Sequence, residues 1–329
     1  MYSTSTQKRD WTFASPDALR AKREASNAEY RSKCGDLVKE EETGGFLSVD
    51  EEIFFLRMIA ERGLAFGDNF RPAMWPSVRW IAFAYFKRFY LCKSAMEYSP
   101  KFVLTSCYYL SSKTDEFYVP IGEFVSNLQS GTAKQNSERI LALEPEIMRV
   151  LNYQLTIHCP FRPFEGHLME MKKRMLLLNF DIESLRPAAT EFFRDALIGD
   201  AMLLHAPSQI ALAGIKHSLN VNAKSPAVMR EFAMKLLGAS EEEAREGFVP
   251  ADDHSIEISQ QTDKLLAKLD VIIVCVEEGS SKETFTDEMQ RRVQQRTVAL
   301  SDLQVVIEER KAADPSRATA QENVDSDDD

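Results

Sequence analysis

Apolar residues recur at intervals of three and four along most of this chain, the period of an amphipathic α-helix. Ile140, Leu143, Ile147 and Leu151 form one such stripe, and Ile258, Leu265, Leu269, Ile272 and Val276 form another. Residues 100–113 depart from the pattern. Phe102, Val103, Leu104, Cys107, Tyr108, Tyr109 and Leu110 lie all round this helix, with small Thr105, Ser106, Ser111 and Ser112 between them. A helix without a polar stripe is buried on every side, so this segment is expected to be the central rod of a bundle. It opens at Ser99-Pro100, a favoured N-cap followed by the residue best suited to a first helical position. It ends at Lys113, beside Asp115 and Glu116, where one cation leaves a dry helix.

Helices are expected on both sides of the rod. Ser48 and Glu51 have the spacing of a capping box and open a helix carrying Ile53, Leu56, Met58 and Ile59. Another follows Pro76 with Trp80, Ile81, Phe83, Ala84 and Phe89. Val119-Pro120 precedes a short helix at 121–128, and residues 131–136 read as a loop before the Ile140 stripe. A similar plan recurs. Pro163 opens a helix with Phe164, Leu168 and Met171, and a second carries Leu185, Ala188, Phe192 and Ala196. Ala206-Pro207-Ser208 then introduces IALAGIKHSL, small and apolar like the first rod, and helices at 226–237 and 257–277 complete the set. This spacing predicts a structural repeat whose sequence identity has faded.

The flanks differ in character. Residues 16–33 offer only Leu19, Tyr30 and a few Ala for packing, which predicts a surface helix whose removal costs little stability. Residues 34–46 read as a linker. Thr284-Phe285-Thr286-Asp287 caps a last helix at 287–312, with Met289, Val293, Leu300, Leu303 and Ile307 as its stripe and Arg310 and Lys311 at its negative end. Residues 314–329, ending DSDDD, are acidic and poor in apolar side chains, and are expected to be disordered.

Composition narrows the function. The chain has 329 residues, 44% of them hydrophobic, with only 13 Gly and 13 Pro, a balance that favours an all-α protein. A formal charge of −11 argues against nonspecific nucleic-acid binding. The one dense basic run, Lys172-Lys173-Arg174, reads as a solvated helix face. Cys34, Cys92, Cys107, Cys159 and Cys275 show no CxxC spacing, so neither disulfides nor a zinc site are expected. The first residues, MYSTSTQKRDW, lack the apolar core of a secretory signal, and Val271–Val276 is far too short to cross a bilayer, so a soluble protein of a reducing compartment is expected. Phosphate-cradling glycine loops, a GxSxG elbow and an HExxH zinc site are all missing from the sequence. His205, Ser208 and Asp200 lack an accompanying oxyanion hole, and Asp115-Glu116 reads as a solvated turn. No catalysis, cofactor or metal is expected.

Six strings, QKRDWTF (7–13), YFKRFYL (85–91), MEYSP (96–100), DEF (115–117), PFRPFEG (160–166) and PSQIAL (207–212), stand in an order that resembles the cyclin family. The detail is most similar to the branch that regulates the cyclin-dependent-kinase-activating kinase. The resemblance implies two tandem five-helix cyclin boxes flanked by N- and C-terminal helices. It divides the chain into an arm and helix at 1–46, boxes at 47–157 and 158–280, a helix at 281–313 and the acidic tail. It further implies a nuclear, non-catalytic subunit that activates a cyclin-dependent kinase. Its other partners would be an assembly subunit and the core of the transcription and repair factor TFIIH, with neither membrane nor direct nucleic-acid contact.

By the same resemblance, Lys113 and Glu144 match a lysine–glutamate pair that holds a kinase helix, and Met148, Tyr153 and Leu155 match apolar contact positions. Trp11 and Phe13 belong to a segment that the resemblance places near the kinase. Pro145 sets a local conflict against this pairing, because proline disfavours helical geometry in the residue before it and a kink there would displace Glu144. A transcription cyclin of the C, K or T type is the nearest alternative, with PFRPFEG and QKRDWTF against it. A DNA-binding factor of the TFIIB type is another, with the missing CxxC pair and the acidic balance against it. Ser326, followed by three aspartates, is a possible phosphosite for a kinase with a basic substrate groove, such as casein kinase 2; a plain solubilising tail is the alternative.

Overall fold

The computed structural model describes residues 2–245, 247–250, 252–281 and 286–313. The acidic tail with Ser326, and Thr284-Phe285 of the expected last cap, lie outside them. The described residues contain helices and no strand. Two helices form the N-terminal arm, α1 (Thr6–Trp11) and α2 (Pro16–Cys34). The first repeat is α3 (Val49–Asn69), α4 (Pro76–Cys92), α5 (Pro100–Thr114), α6 (Ile121–Ser126) and α7 (Ala133–Val150). The second is α8 (Phe161–Arg174), α9 (Arg186–Asp195), a single turn α10 (Ala201–Leu204), α11 (Pro207–Val221), α12 (Pro226–Leu236) and α13 (Asp253–Ser280). The chain closes with α14 (Asp287–Ala313).

Each repeat is built round its driest helix. The expected rod is α5, buried from Val103 to Ser112 except at Thr105 and packed between α3, α4 and α7. Its counterpart α11 is packed by α8, α9, α12 and α13. Both repeats bring a rod close to a neighbour through a glycine. A Cβ on Gly63 of α3 would meet Leu104 of α5 at 2.4 Å, and one on Gly214 of α11 would meet Phe193 of α9 at 2.8 Å. Tyr108 uses the first approach to donate to the Gly63 carbonyl at 2.9 Å, so the buried phenol is satisfied. Ser99 stands at the N-cap of α5 as expected but makes no side-chain capping bond there.

Three local expectations are corrected. The helix carrying the Ile140 stripe starts at Ala133, earlier than the expected loop allows, because Thr132 and Gln135 form a capping box. Pro145 lies inside α7 without ending it, so Glu144 keeps its helical place. Residues 34–46 are no linker. Cys34, Leu37, Phe46 and Leu47 join Met96 and the Leu300, Leu303 and Ile307 stripe of α14 in a second small core. There Arg310 does more than sit at a helix end, since its two Nη atoms grip both Glu42 oxygens at 2.6 and 2.7 Å.

The arm, too, is part of the fold rather than a loose surface helix. Leu19 of α2 and Trp11 of α1 both belong to the main core. Asn27 donates to the Glu52 carboxylate at 2.8 Å and to the Leu47 carbonyl at 3.0 Å. Arg23 reaches Asp200 of the second repeat through two bonds of 2.9 and 2.7 Å. Burying an apolar side chain the size of Leu19 contributes about 1.5–3 kcal/mol.

Candidate functional site

At the C-terminal end of α5 the chain leaves the core, and Lys113 is the first cation to do so. Its ammonium lies 4.8 Å from the centre of its own helix's Tyr109 ring and forms an ion pair with Glu144 of α7. The two partners differ in exposure: the Glu144 side chain is 9% accessible and that of Lys113 is 42%. A carboxylate held so far inside needs its cation, whereas the lysine retains an open side toward solvent.

Beyond Glu144, α7 runs on to Val150 and ends in an unusual bend. Asn152 (φ 50°) and Tyr153 (φ 55°) are both left-handed, a costly conformation for a bulky side chain. The bend is pinned from inside. Tyr153 N–H donates to the Met148 carbonyl at 2.8 Å, and the Tyr85 hydroxyl of α4 donates to the Leu155 carbonyl at 2.6 Å while lying 3.1 Å from Thr114 Oγ1 at the end of α5. Tyr85 therefore ties the end of the rod to the bend; Lys113 pairs with Glu144, and Met148, Tyr153 and Leu155 meet through backbone bonds at the end of α7. Tyr153 is 68% exposed, while Met148 and Leu155 are half-buried against the core. The strained bend thus holds an aromatic ring outward at the end of the helix that carries Glu144.

Trp11 and Phe13 take a different place from the one expected. Trp11 is 6% exposed: its Nε1 donates to Gln154 Oε1 at 2.6 Å and the Arg88 guanidinium stacks on its ring at 5.1 Å. Gln154 Nε2 in turn donates to Asp10 at 3.0 Å, and Arg88 donates to the Gln154 carbonyl at 3.3 Å. Trp11 supports the bend from behind and has no free face for a partner. Phe13 packs against the core, with its N–H on the Leu203 carbonyl at 2.8 Å. Burial pushes the Arg88 pKa down to about 10, so it is a cation held inside with an aromatic face and a carbonyl as neighbours.

Tyr85, Arg88 and Gln154 were not singled out from the sequence. Two of them lie in the string YFKRFYL, so a signal existed, but a polar residue bound for a buried bend looks no different from one facing water. Two exposed aromatics near the same helix end, Tyr118 and Trp75, were also missed. Trp75 packs edge-on to Phe117 at 5.4 Å, and nothing in their spacing shows that they face outward.

The other candidates assemble no chemistry. Asp200 is engaged by Arg23, and neither ring nitrogen of buried His205 has a hydrogen bond, so the pair forms no relay with Ser208. In the basic run, Lys172 pairs with Glu183 and Arg174 with Glu170. Among the described residues there is no group of three side chains able to hold a metal ion, and no helix long and apolar enough to cross a membrane.

Two packed helical repeats, with a half-open charge pair at the rim of the first, define the class. The Cyclin, N-terminal domain family matches residues 73–156 and the Cyclin C-terminal domain family matches 159–277. The chain belongs to the cyclin family. Within it, the chain is similar to Cyclin-H of Xenopus laevis, 40% identical over 218 residues, which cover 65% of this chain and 67% of that one. It is similar also to Cyclin mcs2 of Schizosaccharomyces pombe, 27% identical over 235 residues, covering 66% and 69%. A chain in the structure of the CAK complex of Chaetomium thermophilum bound to ATP-gamma-S superposes with a TM-score of 0.71 at 22% identity, over 95% of this chain and 94% of that one.

Proposed function

We propose that this protein is a cyclin-H-like regulatory subunit that binds and activates a cyclin-dependent kinase of the kinase-activating type and performs no catalysis itself. The half-open Lys113–Glu144 pair, with Tyr153 exposed at the end of the same helix α7, carries the reading. The open side of Lys113 offers donors to a helix C-terminus or a carbonyl edge, and the exposed ring offers an apolar anchor; such pairs set register and specificity more than raw affinity.

The surface works by shifting a population. A free kinase of this class samples states in which the glutamate of its αC helix is away from the catalytic lysine. A cyclin surface that accepts only the inward helix stabilises the active state. Moving a kinase from 1% to 99% active takes about 5.5 kcal/mol of differential binding. An interface of about 1,600 Å² or more supplies this when its anchors are well buried. Similarity to Cyclin-H extends the reading to an assembly subunit, the TFIIH core and a nuclear location. The test is to mix the protein with the kinase partner of its own source and follow phosphorylation of a polymerase tail peptide. Turnover should rise strongly with the mixture and be absent for the protein alone. No increase at concentrations where the two bind contradicts the reading.

A further inference from the structure

On the far side of α4 from Tyr85 and Arg88, the arm, the first repeat and the second repeat meet round a cavity of about 30 Å³. Arg23 of α2, Arg57 of α3 and Lys87 of α4 face it, together with Asp200 from the stretch after α9. The rest of its wall is mostly apolar, including Leu56 and Phe86. Only one of the three cations has a carboxylate. Arg23 takes both Asp200 oxygens, at 2.7 and 2.9 Å. Lys87 Nζ donates to the Ile198 carbonyl at 2.8 Å, a neutral acceptor. Arg57 has no hydrogen bond and no ion pair with any described residue, although it lies close enough to Asp200 to help hold that carboxyl ionised.

Three positive charges thus stand round one negative charge in a partly apolar pocket. The strain of this arrangement appears on Lys87, whose pKa burial pushes down to about 8, with Arg23 and Arg57 adding repulsion. Arg57 and Lys87 are each half-buried, so both keep donor capacity that the surrounding protein groups leave unused. The cavity has room for about two water molecules, which is also the size of a halide ion or a carboxylate head, and too little for a phosphate with its hydration shell.

We propose that this cavity is a binding site for a small monovalent anion, a halide or a carboxylate head, held between Arg57 and Lys87. The bound anion completes the charge balance where the arm and both repeats touch, and so fastens the repeats to one another. The site lies apart from the Lys113–Glu144 surface and does not depend on the function assigned to it.

The test uses the full chain. Thermal unfolding is followed against sodium chloride, sodium acetate and sodium phosphate, at constant ionic strength kept with a bulky organic anion. The wild-type melting temperature should rise saturably with chloride or acetate, by about 2 °C at tenfold saturation, and not with phosphate. Arg57→Gln should remove the saturable rise. Lys87→Met should also remove the rise. Chloride NMR line broadening in the wild type, lost in Arg57→Gln, would report binding directly and separate the halide from the carboxylate source. An identical salt response in wild type and Arg57→Gln overturns the proposal, as does saturation by phosphate alone.

Discussion

The two repeats have the same packing plan and opposite rims. In each, a helix opened by proline and lined with small and apolar residues runs through the middle, and in each a glycine allows one close approach. Their charges are placed differently. In the second repeat Lys216, only 15% exposed, lies mid-helix in α11 and pairs across to Asp270 of α13. That pair holds helices together. In the first repeat the rod carries its cation at the very end, where the lysine is the more open partner of its pair. The entries to the rods differ as well. Tyr98, two residues before Pro100, donates its hydroxyl to Glu146 at 3.0 Å, whereas His205, two before Pro207, is buried without a partner. Both repeats therefore rest on rods and glycines, and the first adds a pair whose cation faces outward at the end of its rod.

The arm gives the strongest way to break this comparison, because it braces the bend of the first repeat and reaches the second through Arg23 and the Phe13 backbone. Deleting residues 1–35 removes Trp11, Leu19, Asn27 and Arg23 from their buried contacts. The deletion is expected to lower stability by more than about 5 kcal/mol, seen in denaturant unfolding. This reverses the expectation drawn from the weak amphipathicity of residues 16–33. An unchanged unfolding curve would return the arm to the surface.

His205 sharpens the contrast at the rod entries. Burial holds its pKa near 4, below its ordinary 6.5, so the unfolded chain binds the proton more readily between those values. Stability should then be full above pH ~6.5 and fall as pH drops toward ~4, by up to about 3 kcal/mol. His205→Leu should flatten that part of the stability–pH curve, and a slope unchanged by the substitution would show that other groups cause it.

At the bend, Tyr153→Gly should stabilise the fold by about 1 kcal/mol, because glycine relieves the left-handed strain, and should weaken kinase binding about tenfold. A loss of both stability and binding would mean that the ring serves the fold. Lys113→Ala should cost stability, because it leaves the enclosed Glu144 carboxylate without its cation, and more than Lys216→Ala, whose partner Asp270 is 59% exposed. Kinase affinity should fall for Lys113→Ala and stay unchanged for Lys216→Ala.

Much of the architecture was legible in the chain. The rods at 100–113 and after Pro207, the Ser48–Glu51 capping box and the α14 stripe all follow from local spacing, and all stand where the pattern puts them. What failed was non-local. Leu37, Phe46 and Leu47 look like linker residues until the distant α14 supplies the other half of their core. Trp11 looks like a loose anchor because Gln154 and Arg88, which enclose it, are far along the chain. The α3 stripe was read one step off: Phe54, Ala60 and Leu64 are buried, while Ile53, Leu56 and Met58 are half-exposed, since the arm and the second repeat decide which side of α3 is covered. Of the expected contact residues, Lys113 and Glu144 pair, and Met148, Tyr153 and Leu155 are linked by backbone bonds where α7 ends.

The central claim is that Lys113 and Glu144 act as one unit on a kinase. It is tested most directly by a double-mutant cycle on kinase affinity with Lys113→Ala, Glu144→Ala and the double variant, each first shown to be folded. Each single change should weaken binding about tenfold or more, and the double variant should lose clearly less than the sum, with a coupling of about 1 kcal/mol or more. Losses that simply add, or affinity unchanged in all three variants, would contradict it.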